Sequence, residues 1–117
     1  MNGLFSQINV LGNALRYSEQ NHRVLSENLA NVNTPGYKTH RLEFDTLLQG
    51  VEDGDASREA LQVGEVSELE GLAERVDGNN VDIETEVSEI KKNALVAQAY
   101  AQLMASKLAT MRRAISG

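Results

Sequence analysis

The sequence predicts a mainly α-helical, elongated fold in which long N- and C-terminal helices pack as an antiparallel, coiled-coil-like pair. Three observations predict it: apolar residues recur at alternating steps of three and four at both ends of the chain, no Pro or Gly interrupts the second of these stripes, and the middle is acidic and glycine-rich. Three-four spacing is typical of a helix seam buried against another helix. We expect an N-terminal axial helix over 1–33, an irregular and partly extended middle with turns and loops over 34–80, and a C-terminal axial helix over 81–117.

The first stripe forms the predicted seam of the N-terminal helix. Its apolar members are Leu4, Ile8, Leu11, Leu15, Leu25 and Leu29. Ser18 and His22 fall in the same seam, where a coiled coil built for stability has leucine. They are either tolerated at a loosely packed position or fix the register and the number of partners.

The second stripe forms the predicted seam of the C-terminal helix. Its members are Ile83, Val87, Ile90, Ala94, Ala97, Ala101, Met104, Leu108, Met111 and Ile115. The many alanines either permit close approach of neighbouring helices or serve only as good helix formers. Val96, Tyr100 and Leu103 make a further stripe beside the seam, which a two-helix hairpin would leave exposed. We therefore expect these three residues to contact adjacent subunits.

The charge of the 117-residue chain is unevenly distributed. Residues 42–92 hold 15 acidic and 4 basic side chains, whereas the rest of the chain holds 2 acidic and 7 basic. A nucleic-acid site needs concentrated basic side chains, and those of the helical ends are scattered, so we expect no nucleic-acid binding. The acidic middle is interpreted as a region kept soluble by its charge, with binding to a basic partner surface as the alternative.

We expect no catalytic residues, cofactor or metal site. The chain has no cysteine, which excludes disulfides, thiolate metal sites and cysteine nucleophiles. Its two histidines, His22 and His40, have no nucleophile and base at a recognisable spacing. Residues 1–15 contain no Lys or Arg, so no cleaved signal peptide is expected, and no apolar run reaches the ~18 residues of a membrane span.

A turn motif should end the first helix. It consists of Ala30, Asn31, Asn33, Thr34, Pro35, Gly36 and Tyr37. Pro35 cannot continue the helix and moves Thr34 out of the α region. Pro35 and Gly36 suit the two central positions of a type II turn, because proline fixes φ at the first and glycine accepts a positive φ at the second.

These residues carry a resemblance. The segment from Leu25 to Lys38 resembles the N-terminal motif shared by bacterial flagellar rod and hook proteins, in which an amphipathic helix ends in an Ala-Asn-x-x-Thr-Pro-Gly-Tyr turn. The sequence from Asp77 to Glu86 and the alanine-rich run that follows are similar to the C-terminal region of one branch of this family, a rod subunit of the basal body.

The resemblance implies a structural subunit of the proximal rod of the bacterial flagellar basal body, which assembles with other rod proteins into the axial drive shaft. It implies as partners FlgC, FlgF and FlgG, FliE and the MS-ring side of the basal body, and further copies of the chain. It also implies a place in the periplasm-spanning rod, reached by flagellar type III export, without membrane insertion.

Two alternatives stay open at this point. Within the family, the chain could be another rod subunit such as FlgC, which the turn at 77–82 and the contacts of the assembled rod would distinguish. Outside it, the chain could be a soluble coiled-coil adaptor or a secretion chaperone. An adaptor or chaperone should form a discrete oligomer, which light scattering would detect.

Overall fold

Two long antiparallel helices dominate the computed structural model, which describes residues 2–43 and 65–116. Helix α1 spans Asn2–Ala30 and helix α2 spans Ile83–Ser116. The molecule measures 65 × 25 × 15 Å along its principal axes. The predicted class, an elongated antiparallel pair of N- and C-terminal helices, is therefore confirmed. The stretch 44–64 of the predicted middle region lies outside the described residues.

Helix α2 begins at a side-chain cap. The Asp82 carboxylate accepts hydrogen bonds from the Glu84 backbone N–H at 3.1 Å and from the Thr85 hydroxyl at 3.1 Å. Both bonds satisfy polar groups of the first turn, which has no intrahelical partners for its N–H groups. Asp82 is therefore the residue that caps α2.

A small sheet lies between the helices in chain order. Strand β1 (His40–Leu42) pairs antiparallel with strand β2 (Val66–Glu68), with Arg41 opposite Ser67. Strand β1 also lies against α1, where the Tyr17 hydroxyl donates to the Leu42 carbonyl at 3.2 Å. The chain leaving α1 therefore folds back along that helix instead of extending away from it.

The contact between the helices is polar near the turns and contains small side chains further along. Asn28 of α1 bonds Glu86 of α2, while Asn93 bonds both Asn21 and the Ser18 carbonyl. Further along, a Cβ at Gly12 would lie 3.4 Å from the Met104 methyl. Gly12 weakens an isolated helix by about 1 kcal/mol relative to alanine, but here it lets α2 approach closely.

Few apolar side chains of the described residues are fully buried. They are Ala14, Val24, Leu25, Leu42 and Val81. Several large apolar side chains on α2 are exposed by more than a third, among them Leu95, Val96 and Leu103. Neither described helix combines the length and apolar character needed to cross a bilayer. The hairpin therefore has a thin core and an apolar outer surface on α2.

Candidate functional site

The turn motif after α1 has the predicted geometry. Gly36 has a φ of 76°, and the Tyr37 N–H donates to the Thr34 carbonyl at 3.2 Å. A positive φ directly after proline, closed by this bond, defines a type II turn. The predicted turn type is therefore confirmed, and Gly36 is required there because other residues rarely adopt a positive φ.

Asn31 closes the end of α1 in front of this turn. Its side-chain amide donates to the Glu27 carbonyl at 2.8 Å, and its side-chain oxygen accepts the Thr34 hydroxyl at 3.0 Å. The Glu27 carbonyl also accepts the Asn31 backbone N–H at 3.0 Å, so the side-chain amide adds a second bond to the last turn of the helix. Among the other residues of the turn motif, Ala30, Asn33 and Pro35 are exposed.

A second turn, which lies shortly before α2 in the sequence, binds the type II turn through Asn79. Asn79 is completely buried, and its amide donates to the carbonyls of Asn31 and Thr34, each at 2.9 Å. Its side-chain oxygen accepts the Val81 N–H at 2.8 Å. One amide side chain thus joins the end of α1, the type II turn and the approach to α2.

The two turns also meet through their backbones. The Gly36 N–H donates to the Asp77 carbonyl at 2.9 Å, and Lys38 bonds the Gly78 carbonyl and the Glu74 carboxylate. Gly78 has a φ of 84°, and a Cβ there would lie 3.5 Å from the Gly36 Cα. Both glycines therefore serve one contact, in which a positive φ and close backbone approach are needed together.

A polar cluster formed by Asn28, Tyr37, His40, Arg41 and Glu86 fixes β1 between the helices. Asn28 is completely buried, and its amide donates to the His40 carbonyl at 2.8 Å and to Glu86 at 3.1 Å. Its side-chain oxygen accepts the His40 N–H at 3.0 Å and the Tyr37 hydroxyl at 3.2 Å. All four hydrogen-bonding positions of this buried amide are therefore used.

The polar cluster contains an ion pair whose carboxylate is buried and whose guanidinium is partly exposed. The Glu86 side chain is 1% exposed and forms two bonds with the Arg41 guanidinium, at 2.7 and 3.1 Å. Arg41 also donates to the His40 carbonyl at 3.0 Å. A buried carboxylate is tolerable only when it is paired and hydrogen-bonded. Strand β1, which supplies Arg41, is therefore needed for α2 to pack on α1 at this end.

The structure places the predicted α1 seam against α2 and β1 to different extents. Leu25 is 1% exposed and Ser18 is buried, whereas His22 is exposed. The remaining predicted seam residues of α1 are partly buried: Leu4, Ile8, Leu11, Leu15 and Leu29. The Ser18 carbonyl accepts from Asn93, so the polar interruption of the stripe takes part in the helix contact.

The contact line of α2 differs from the predicted seam. The predicted seam residues that are partly buried are Val87, Ile90, Ala97, Met104 and Met111, and the exposed ones are Ile83, Ala94, Ala101, Leu108 and Ile115. Buried positions are Glu86 and Asn93, with Tyr100 partly buried. The line of α2 residues that contacts α1 is rotated around the helix axis by about 50° from the predicted seam. Successive helical residues are about 100° apart, so this is half the angle between neighbours. The cause is that these polar residues find buried partners on α1 and β1.

The three residues predicted to contact adjacent subunits also differ in their exposure. Val96 and Leu103 are 39% and 50% exposed. Tyr100 is instead partly buried in a groove between the helices, which Val96, Tyr17 and Asn21 also line. The rotation of α2 brings Tyr100 towards α1, whereas Val96 and Leu103 stay exposed by more than a third.

Ionisation of Tyr37 should weaken the fold at high pH. Burial raises the pKa of Tyr37, and the carboxylates of Glu27 and Glu86 raise it further. In the unfolded chain tyrosine ionises near pH 10, so stability is intact below that pH and is lost as the pH rises through the folded-state pKa. We expect the melting temperature to fall above pH 10.

Tyr37→Phe removes this titration and supplies its test. The variant should be about 1 kcal/mol less stable than the parent at pH 8, through loss of the bond to Asn28. Thermal melts from pH 8 to 11.5 should show this difference shrinking above pH 10. A difference that stays constant over the whole range would contradict the assigned titration. Burial also raises the pKa of Tyr17, so a smaller alkaline loss should persist in the variant.

Comparison with known proteins decides the family. The family described as flagella basal body rod protein matches residues 8–38, which include Asn28 and the type II turn. The flagellar basal body rod protein FlgB of Aquifex aeolicus is 34% identical, over 97% of this chain and 96% of its own. The chain belongs to the FlgB family. FlgB of Aeromonas hydrophila is 30% identical over 89% of this chain, and FlgB of Bacillus subtilis is 28% identical over 97%.

The type II turn after α1 lies within the FlgB family motif and was predicted from the sequence. The second turn and the polar cluster were not predicted. The turn of the family motif was predictable from Pro35 and Gly36, but the roles of Asn79 and Glu86 were not. Acidic residues are common at the start of a helix, so the position of Glu86 in the sequence does not distinguish it from an exposed charge. A signal was nevertheless present: Glu86 lies four residues before Ile90 and seven before Asn93, which is seam spacing.

Proposed function

We propose that this chain is a structural, non-enzymatic subunit of the flagellar basal body rod that assembles with copies of itself and with other rod proteins. Its similarity to FlgB proteins over nearly the whole chain is the observation that carries this proposal. The elongated hairpin, 65 Å in its longest dimension, supports it, because rod-shaped subunits suit an axial shaft. Family membership also favours this role over an adaptor or a secretion chaperone.

The exposed surfaces of α2 are suited to contact neighbouring subunits. On one side of the interhelix contact lie Val96 and Leu103, with Leu95 69% exposed nearby. On the other side lie Ala94 and Ala101, both exposed and small enough for close helix approach. Burial of apolar area contributes about 25 cal/mol per Å². A thin-cored hairpin with two such surfaces therefore gains stability by packing among other helices.

The finer assignment follows from the family resemblance. We place the subunit in the proximal part of the rod, with FliE and the MS-ring side at its base and with FlgC, FlgF and FlgG further out. It would reach the periplasm-spanning rod through the flagellar type III export apparatus. Mixed assembly is supported by the asymmetry of the hairpin, whose two α2 surfaces differ and can bind different neighbours.

Incorporation into the rod tests the proposal. A strain that lacks the gene should regain motility with the unaltered chain, and purified basal bodies should contain it. Leu103→Lys should abolish both while leaving helix content unchanged, because it places a charge in an apolar subunit contact. The matched control is Gln102→Lys, on an exposed position about 100° around the same helix.

Two outcomes would contradict the proposal. One is a chain that restores no motility and is absent from basal bodies yet forms a discrete soluble oligomer, as an adaptor or chaperone would. The other is full motility with Leu103→Lys, which would remove this surface from the proposed subunit contacts.

A further inference from the structure

The turn that docks against the type II turn contains a chemically labile pair, Asp77 followed by Gly78. Aspartate converts to isoaspartate when the next backbone nitrogen attacks its side-chain carboxyl group. The reaction is fastest before glycine, which has no Cβ to shield the nitrogen or to restrict rotation of the backbone. Asp77 is exposed, so water has access to the pair.

The docked arrangement of the turns uses both residues of the pair. Gly78 has a φ of 84°, a conformation that residues with a Cβ rarely adopt. The Asp77 carboxylate accepts the backbone N–H of the buried Asn79 at 3.0 Å. The glycine that the docking requires is therefore also the glycine that makes the pair labile.

In the folded hairpin the reacting peptide group is held from both sides. Its carbonyl, which belongs to Asp77, accepts the Gly36 N–H at 2.9 Å, and its N–H, which belongs to Gly78, donates to the Arg75 carbonyl at 2.9 Å. Arg75 also lies 3.7 Å from the Asp77 carboxylate. Because a peptide group is planar, it turns towards the carboxyl group only as a unit. Both hydrogen bonds must therefore break before the nitrogen can attack.

We propose that Asp77 is a site of isoaspartate formation whose rate is set by the docking of the two turns, slow while they are docked and fast once they separate. The Gly78 nitrogen gives up its proton and bonds to the Asp77 Cγ. The protonated side-chain carboxyl group loses its hydroxyl group, so that one water leaves and a cyclic imide forms. Water then adds to one imide carbonyl and breaks its bond to nitrogen. Opening at the side-chain carbonyl returns aspartate, and opening at the backbone carbonyl gives isoaspartate.

The product does not restore the contact between the turns. In isoaspartate the backbone runs through Cβ and Cγ of residue 77, which adds one carbon to the chain. The former backbone carbonyl, which accepted the Gly36 N–H, becomes a free carboxylate. A chain whose turns stay open long enough to isomerise therefore loses this contact permanently.

Peptide mapping by mass spectrometry measures the rate at Asp77 in the full chain, kept at neutral pH with and without urea. The second pair of this kind, Asp53 and Gly54, lies outside the described residues and calibrates the reaction in urea, where both pairs should react at similar rates. Without urea we expect the rate at Asp77 to be at least about tenfold lower, since a reaction that requires local opening follows the population of the open form. Equal rates at Asp77 in the two conditions would overturn the proposal.

Two variants link the rate to docking. Asn79→Ala removes the bonds to the carbonyls of Asn31 and Thr34 and should raise the rate without urea at least about tenfold. Asn33→Ala, at an exposed position of the type II turn, is the matched control and should leave the rate unchanged.

Hydrogen exchange on the purified isoaspartate form tests the consequence for the contact. Its Gly36 N–H should exchange as fast as in the Asn79→Ala chain. A rate at Asp77 that Asn79→Ala leaves unchanged, or full protection of Gly36 in the isoaspartate form, would contradict control by docking.

Discussion

Glu86→Ala is expected to lower the free energy of unfolding by about 3–4 kcal/mol, towards the lower end of the cost of breaking a buried ion pair, because the Arg41 left behind is 23% exposed. The variant leaves the Arg41 guanidinium without its carboxylate and removes an acceptor from the buried Asn28 amide. Such a loss is a large fraction of the stability of a domain of this size. Urea unfolding followed by circular dichroism measures it.

The control for this variant is Glu84→Ala. Glu84 lies in the same first turn of α2 but is exposed, so its loss should cost less than about 1 kcal/mol through the helix dipole alone. A double substitution, Arg41→Met with Glu86→Leu, should recover part of the loss, because apolar groups can replace a buried pair. Equal effects of Glu86→Ala and Glu84→Ala would show that the polar cluster does not hold the hairpin together.

Asn79→Ala is expected to be the second most damaging substitution, at about 3 kcal/mol. It removes both donors to the carbonyls of Asn31 and Thr34 and the acceptor for the Val81 N–H. Each buried group left without a partner costs about 1–3 kcal/mol, and water can compensate some of this where the turn is exposed. Amide hydrogen exchange should accelerate first at Gly36 and Tyr37, whose bonds close the turn.

Asn79→Asp keeps the shape of the side chain but removes its hydrogen-bond donors. The carboxylate keeps the acceptor for Val81 but has no donor for the two carbonyls, so the variant should be nearly as unstable as Asn79→Ala. Asn33→Ala, at an exposed position of the same turn motif, is the control and should change stability by less than about 0.5 kcal/mol. Protection of Gly36 that is unchanged in both Asn79 variants would refute this role.

The local features of the fold were predictable because short-range chemistry determines them. Proline followed by glycine, as in Pro35 and Gly36, favours a type II turn through the backbone preferences of the two residues, and the uninterrupted three-four stripe favours the helix α2. The antiparallel pairing of the ends followed from two matching stripes and a middle too polar to cover either. These predictions needed no knowledge of which distant residues meet.

The rotation of α2 was not predictable in this way. Sequence patterns assign apolar residues to the seam and polar residues to solvent, so Glu86 and Asn93 are not among the predicted seam residues. Their partners, Asn28 and Asn21, lie 58 and 72 residues away in the sequence. Only the folded arrangement shows that Glu86 and Asn93 are paired. That pairing rotates the helix, brings Tyr100 inside and leaves Ala101 exposed.

An image of the assembled rod at side-chain resolution tests the central claim most directly. The claim is that α1 and α2 of one chain form the antiparallel unit of the rod, joined by the polar cluster, with the outer surfaces of α2 packed against other subunits. We predict density for Asn28 against Glu86 within one subunit and for Val96 and Leu103 against a neighbour. An assembled subunit whose α1 and α2 are separated and packed on different neighbours, with Glu86 facing solvent, would contradict it.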